Sequence, residues 1–267
     1  MSGALWLLAV LIAAAAMLLW QTRRRRARLA ALHAPLPPAW RALLERDCPL
    51  YRRLPDALKQ ELDTPIRAFI ARIPFEGCDG QLITDQVRLL IAAPAVLLIR
   101  RAGWAAYRQL YSVQVYPQEF EVVESFEDDL TGVVTEHREQ VAGQAHDTDR
   151  ILISWRDVLE PVVGAEPYNV VIHEFAHYLD HSSGGHLSGT GWDAVWEQEF
   201  AALRAAAEHG IASLIDPYGA EDRSEFFAVA SECFLEAPRR MQAQHPSLYA
   251  QLRDFYELDP ASWEARV

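Results

Sequence analysis

The chain has 267 residues, 51% of them apolar and 10% aromatic, enough for a sizeable core. Its net charge is −12; the first 28 residues hold five arginines and no acid, so the remainder sets 20 basic against 37 acidic side chains, a poor balance for binding nucleic acid. The three cysteines, Cys48, Cys78 and Cys233, are odd in number and far apart, which argues against a disulfide framework and a thiolate metal site and suits free, buried thiols in a reducing compartment.

Met1 to Thr22 carries no charged side chain, and Ala4 to Trp20 is almost wholly apolar. At ~1.5 Å per residue such a helix spans roughly 33 Å, enough for a hydrocarbon core of ~30 Å. Trp6 and Trp20 stand near its ends, and Arg23, Arg24, Arg25, Arg26 and Arg28 follow at once. A secretory signal places its charge before the apolar run and a small-residue cleavage site after it. This chain does the reverse. Residues 1–28 therefore read as an N-terminal transmembrane anchor with a basic flank, residues 1–22 lying in the inner (cytoplasmic) membrane. The positive-inside rule places the remainder on the cytoplasmic side. Cleavage and export is the alternative, and the free cysteines weigh against it.

Residues 29–39, with Pro35, Pro37 and Pro38, read as a short stiff linker before a domain spanning 40–267. From Trp40 to about Ile73 apolar residues recur at helical spacing, punctuated by Pro49, Pro55 and Pro65, which predicts two or three short helices. Gln86 to Ala102 predicts a buried helix; Arg88, Arg100 and Arg101 leave too short an uncharged run for a second membrane span. Residues 110–156 alternate and are β-rich. A helix is expected at about 166–181, a flexible loop at 182–191, and further helices at 192–210, 223–235 and 246–256. Strands in one block amid helices make the class α+β.

The expected helix at 166–181 carries His-Glu-Phe-Ala-His at 173–177. Positions i and i+4 share a helix face, so His173 and His177 can offer two imidazole nitrogens to one metal ion. Glu174, rotated by about 100°, can lie beside the open position and take a proton from a water there. This is the H-E-x-x-H arrangement of zinc peptidases. A His-Glu pair on a helix surface is ordinarily just solvated. Here Val170, Val171, Ile172, Phe175, Ala176, Tyr178 and Leu179 surround the pair, so the helix is expected to be buried and its polar groups to need partners. Pro167 suits its first turn.

A catalytic zinc takes three protein ligands and leaves a fourth position for water. The metzincin pattern requires a glycine and then a histidine where this chain has Asp180 and Ser183, so it fails. His181 and His186 lie off that spacing. Two glutamates on later helices remain. Glu197 stands 20 residues after His177, a separation like that in thermolysin-type enzymes, but AVWEQEF lacks their asparagine–glutamate pairing. Glu225 opens the apolar segment SEFFAVASECF, where an unpaired carboxylate is costly unless a cation neutralises it. It also suits a helix N-terminus without any metal.

NVVIHEFAHYLD and DPYGAEDRSEFFAVASECFLEAP together resemble the two signature segments of the Mlc titration factor A family, and YSVQVYPQEFEVV, GVVTEHREQVAGQ and ILISWRDV are similar to its strand region in the same order. The resemblance covers roughly residues 40–260. It implies a gluzincin-type, zincin-like peptidase domain resembling that of anthrax lethal factor, with a helical N-terminal part and one Zn2+ held by His173, His177 and Glu225. It implies Glu174 as general base and Tyr218, in an Asp-x-Tyr element, facing the site as an oxyanion donor. It further implies aminopeptidase-type cleavage of a peptide or protein, and binding of the repressor Mlc. The chain departs from the family's type in residues 1–28, which leaves location and substrate open.

Zincins commonly bind an extended peptide along an edge strand, for which Ile151 to Trp155 is the candidate. Asp180 and Glu232 are candidates for orienting a ligand histidine, and surface salt bridging suits each as well. Two other functions stay open: a membrane-tethered regulator that sequesters a transcription factor, and a metal hydrolase acting on a non-peptide substrate. The intact Glu174 argues against a pure pseudoenzyme.

Overall fold

The computed structural model describes residues 35–118, 120–127, 134–141, 143–146, 149–159, 167–182 and 193–266, together with Met17. The expected anchor, most of the linker, and the loop after Ser182 with His186 lie outside the described residues. No described helix is long and apolar enough to cross a membrane.

The described residues from 35 on open with a helical layer: α1 (Pro38–Asp47), α2 (Pro49–Arg53) and α3 (Asp56–Arg72). Pro38, read as a linker residue, opens α1, because a first-turn residue has no helical partner for its missing N–H. Pro65, read as punctuation, lies inside α3. An internal proline costs about 3 kcal/mol. Leu62, Ile66 and Phe69 beside it are fully buried, each contributing about 1.5–3 kcal/mol, so packing outweighs the break. Lys59, the only lysine in the chain, is also buried in α3. Its ammonium donates to Glu45 Oε1 at 2.8 Å and to the Arg52 carbonyl at 3.3 Å, and lies 5.4 Å from the Tyr51 ring centre.

Helix α4 (Asp85–Leu98), capped by the Thr84 hydroxyl, answers to the expected buried helix. Residues Leu89 to Leu98 are all buried, Pro94 among them. Helix α3 packs against α4, and so does α6, described below.

The main sheet contains β1 (Phe75–Gly77), β2 (Ser112–Tyr116), β5 (Gly143–His146) and β6 (Arg150–Ser154), in the order β1-β2-β6-β5. The first three in that order are parallel and β5 is antiparallel to β6. A separate antiparallel pair is formed by β3 (Phe120–Glu127) and β4 (Val134–Val141). Two expectations fail here. The strands are not one block, since β1 precedes α4. Ile151 to Trp155 is not an edge strand: Ile151 pairs with Val113 on one side and Ala145 on the other, and Trp155 starts the short helix α5 (Trp155–Leu159). The unbroken Ile-Leu-Ile run, buried on both faces, is the mark of an interior strand. Among the described strands, the edge beside β6 belongs to β5.

Then come α6 (Val170–Ser182), α7 (Ala194–Glu208), a 3-10 turn (Pro217–Ala220), α8 (Arg223–Glu236), α9 (Pro238–Gln244) and α10 (Pro246–Tyr256). Helices α7, α8 and α10 match the expected spans; α9 was not anticipated. Helix α6 starts later than expected, leaving Pro167 outside it. Asn169 caps it, its Oδ1 accepting the Ile172 N–H at 3.2 Å. The whole is a helix-rich α+β fold with a small, mostly parallel sheet. Cys48 and Cys233 are buried free thiols, and Cys78 is free and half-buried.

Candidate metal centre

Helix α6 is fixed by its apolar side. Phe175 packs on Phe69 and Tyr107 at centroid distances of 5.8 and 5.3 Å, and Tyr178 packs on Tyr107 at 5.7 Å. Phe175 lies about 200° round the helix from His173, so burying it turns the two histidines the other way, towards α8. Helix α8 is apolar on almost every side, with Phe226, Phe227, Val229, Ala230, Cys233 and Phe234 all buried. Asp222 caps it, accepting the backbone N–H groups of Ser224 at 2.7 Å and Glu225 at 2.9 Å, which places Glu225 in its first turn.

Three side-chain atoms converge between these helices. His173 Nε2 and His177 Nε2 are 3.0 Å apart, and Glu225 Oε2 lies 3.2 Å from the first and 3.1 Å from the second. Each histidine uses its other nitrogen elsewhere: His173 Nδ1 meets Glu232 Oε1 at 2.8 Å, and His177 Nδ1 meets Ser224 Oγ at 3.0 Å. Among the described residues this is the one group of histidine, cysteine and acidic side chains placed to hold a metal ion. Glu197 does not join it; its half-exposed carboxylate pairs with Arg223. His181 is exposed.

The electrostatics of this corner ask for positive charge. Burial disfavours the charged form of His173, yet hydrogen bonds to Glu225 and Glu232 hold it well above the ordinary histidine range. Burial likewise works against ionising Glu225, but the hydrogen bonds from His173 and His177 hold its carboxyl down at about 2. The donors fit zinc: two nitrogens and one oxygen, each ~2.0–2.2 Å from a tetrahedral centre, stand roughly 3.3 Å apart.

Glu174 is 2% exposed, and its Oε2 has no hydrogen-bond partner among the described residues. Burial pushes its carboxyl up to about 7, against the pull of both imidazoles. A carboxyl in that range exchanges a proton near neutrality. Tyr218 is 46% exposed, with its ring 6.1 Å from that of His173. The 3-10 turn holds it: Asp216 Oδ1 accepts the Tyr218 N–H at 2.8 Å, and Gly219 sits so close to α8 that an added Cβ would come within 2.4 Å of Val229 Cγ2. Of the two orienting candidates, Glu232 reaches His173 directly, while Asp180 Oδ2 meets the Ser224 hydroxyl at 3.4 Å. Ser224, Asn169 and Asp222 were missed by sequence reasoning. For Asp222 and Asn169 a signal existed, an Asx residue just before an apolar run; for Ser224 there was none.

Residues 19–257 match the family described as glucose-regulated metallo-peptidase M90. The protein slr2042 of Synechocystis sp. is 34% identical over 239 residues, covering 85% of this chain and 86% of that one. The Mlc titration factor A proteins of Cronobacter sakazakii and Pectobacterium atrosepticum are 32% and 31% identical, each match covering 85% of this chain and 88% and 90% of theirs.

Proposed function

Because the chain belongs to the glucose-regulated metallo-peptidase M90 family, we propose that it is a zinc-dependent peptidase that cleaves near the amino end of its substrate. The observation that carries the proposal is the meeting of His173, His177 and Glu225 beside a buried Glu174 whose Oε2 has no hydrogen-bond partner among the described residues. These three residues would hold the ion. Zinc bound there would supply a Lewis acid for the peptide carbonyl and lower the pKa of a water beside it. Glu174 takes the proton from that water as it attacks, then delivers it to the leaving amine. The Tyr218 hydroxyl donates to the oxygen on which negative charge develops. The substrate lies along β5, whose outer edge is open among the described strands and which packs against α6. Residues 1–28 hold the domain at the inner membrane on its cytoplasmic side.

A second reading is favoured by the relatives named Mlc titration factor A. In it the chain binds and sequesters a transcriptional repressor such as Mlc, and catalysis is secondary. One experiment separates the two: measure zinc content, cleavage of peptides with free and acetylated amino ends, and binding to Mlc. Wild type, Glu174→Gln and Glu225→Ala are compared. The peptidase reading expects Glu174→Gln to keep zinc and lose at least ~10²-fold in kcat. It expects Glu225→Ala to lose zinc, and acetylated peptides to resist cleavage. Full activity in Glu174→Gln sinks the mechanism. Binding of Mlc with no peptide cut by any form supports the regulator.

A further inference from the structure

We infer that Ser224 and Glu232 are positioning residues that lock both histidines in one tautomer and aim them at a single ion. The inference rests on reading His173, His177 and Glu225 as metal ligands. A neutral imidazole carries one N–H, and only the bare nitrogen can bind a metal. Which nitrogen stays bare is decided by the partner of the other one.

At His177 that partner is a hydroxyl, which either donates or accepts. Here its role is set from behind. The Ser224 hydroxyl has a single hydrogen, and it points to Asp180 Oδ2 at 3.4 Å. The oxygen is then left to accept, and it faces His177 Nδ1 at 3.0 Å. The proton of His177 therefore belongs on Nδ1, and Nε2 presents a lone pair. At His173 the partner is a buried carboxylate. Glu232 Oε1 accepts the Nδ1 proton at 2.8 Å, while its Oε2 accepts the backbone N–H of Asn169, the cap of the histidine helix. With each Nδ1 engaged, both Nε2 atoms are turned to Glu225 Oε2, so a cation entering there displaces the protons that otherwise bridge the imidazoles to the carboxylate.

Both locks come from α8, the helix that also carries Glu225. Ser224 is the residue before it, and Glu232 follows seven residues later, about two turns on and on the same face. One helix thus supplies the third ligand and the orienting partner of each of the other two. The locks are unequal. His173 is held by a full carboxylate, whereas His177 is held by a hydroxyl with a carboxylate behind it.

The test uses the full chain. Zinc affinity is measured by competition with a chromophoric chelator, and the cobalt-loaded protein is examined by visible absorption, for wild type, Glu232→Gln, Ser224→Ala and Ser224→Thr. Partners of this kind are worth about 10–100-fold in metal affinity. Glu232→Gln is expected at the larger end and Ser224→Ala nearer ~10-fold. Both should have altered cobalt spectra, and Ser224→Thr should restore wild-type behaviour. A merely structural role would lower the melting midpoint of the metal-free protein and leave the cobalt spectrum as it was. Ser224→Ala is the smaller change and carries the test if Glu232→Gln fails to fold. Wild-type binding together with unaltered affinity and spectrum in the variants overturns the inference alone. A wild-type chain that binds neither ion removes the metal reading and this inference with it.

Discussion

In the proposed hydrolysis, Glu174 and Tyr218 stand on opposite sides of the same question, how charge is managed. Burial, with Oε2 lacking a hydrogen-bond partner among the described residues, lets Glu174 hold a proton at a pH where an exposed glutamate would not. Tyr218 is half-exposed, and its ring lies beside His173. If its hydroxyl stabilises the developing oxyanion, Tyr218→Phe should lower kcat about 10²–10³-fold and leave KM and zinc content near wild type. Steady-state kinetics on one peptide decides it; a loss smaller than about threefold would return Tyr218 to an ordinary surface role.

At the scale of elements, the site is two helices and a turn. The turn depends on Gly219, whose missing side chain lets the 3-10 segment lie against Val229, Leu203 and the backbone at Phe226. Gly219→Ala must push the turn off α8 or force Val229 aside, an overpacking that costs about 1–3 kcal/mol. The melting midpoint should fall, and kcat should fall with it because Tyr218 rides on the turn. An unchanged midpoint would mean that the turn has room to give. The sequence was most legible at this scale. His173 and His177 are four residues apart in one helix, so periodicity alone puts them on one face. Glu225 is different. Local pattern left it level with Glu197, because no local rule says which distant helix packs on α6, and the family resemblance singled it out. Ser224 left no trace, since a lone serine in a first turn has an ordinary explanation.

On the scale of the whole molecule, the α+β class was readable from the alternation of patterns, but strand order was not. Nothing local marks Ile151 to Trp155 as an interior strand's pairing partner, because partners far apart in the chain leave no local trace; only its unbroken apolar run points away from an edge. Pro65 failed for a related reason, burial of its neighbours overriding local propensity. The proposed anchor makes its own demand on the whole chain. A reporter that works only in the cytoplasm should be active when fused after Arg28, and one that works only outside should be silent there. The reverse pattern would overturn the orientation. Lys59 has a more practical consequence. It is the sole lysine, and its ammonium is tucked between Glu45, the Arg52 carbonyl and the Tyr51 ring. A lysine-specific endoproteinase therefore has one bond to cut in the entire chain, and cannot reach it until the layer of α1 to α3 comes apart. The appearance of the two fragments, 1–59 and 60–267, is a clock for that opening, and zinc slows the clock only if the layer and the metal centre unfold together.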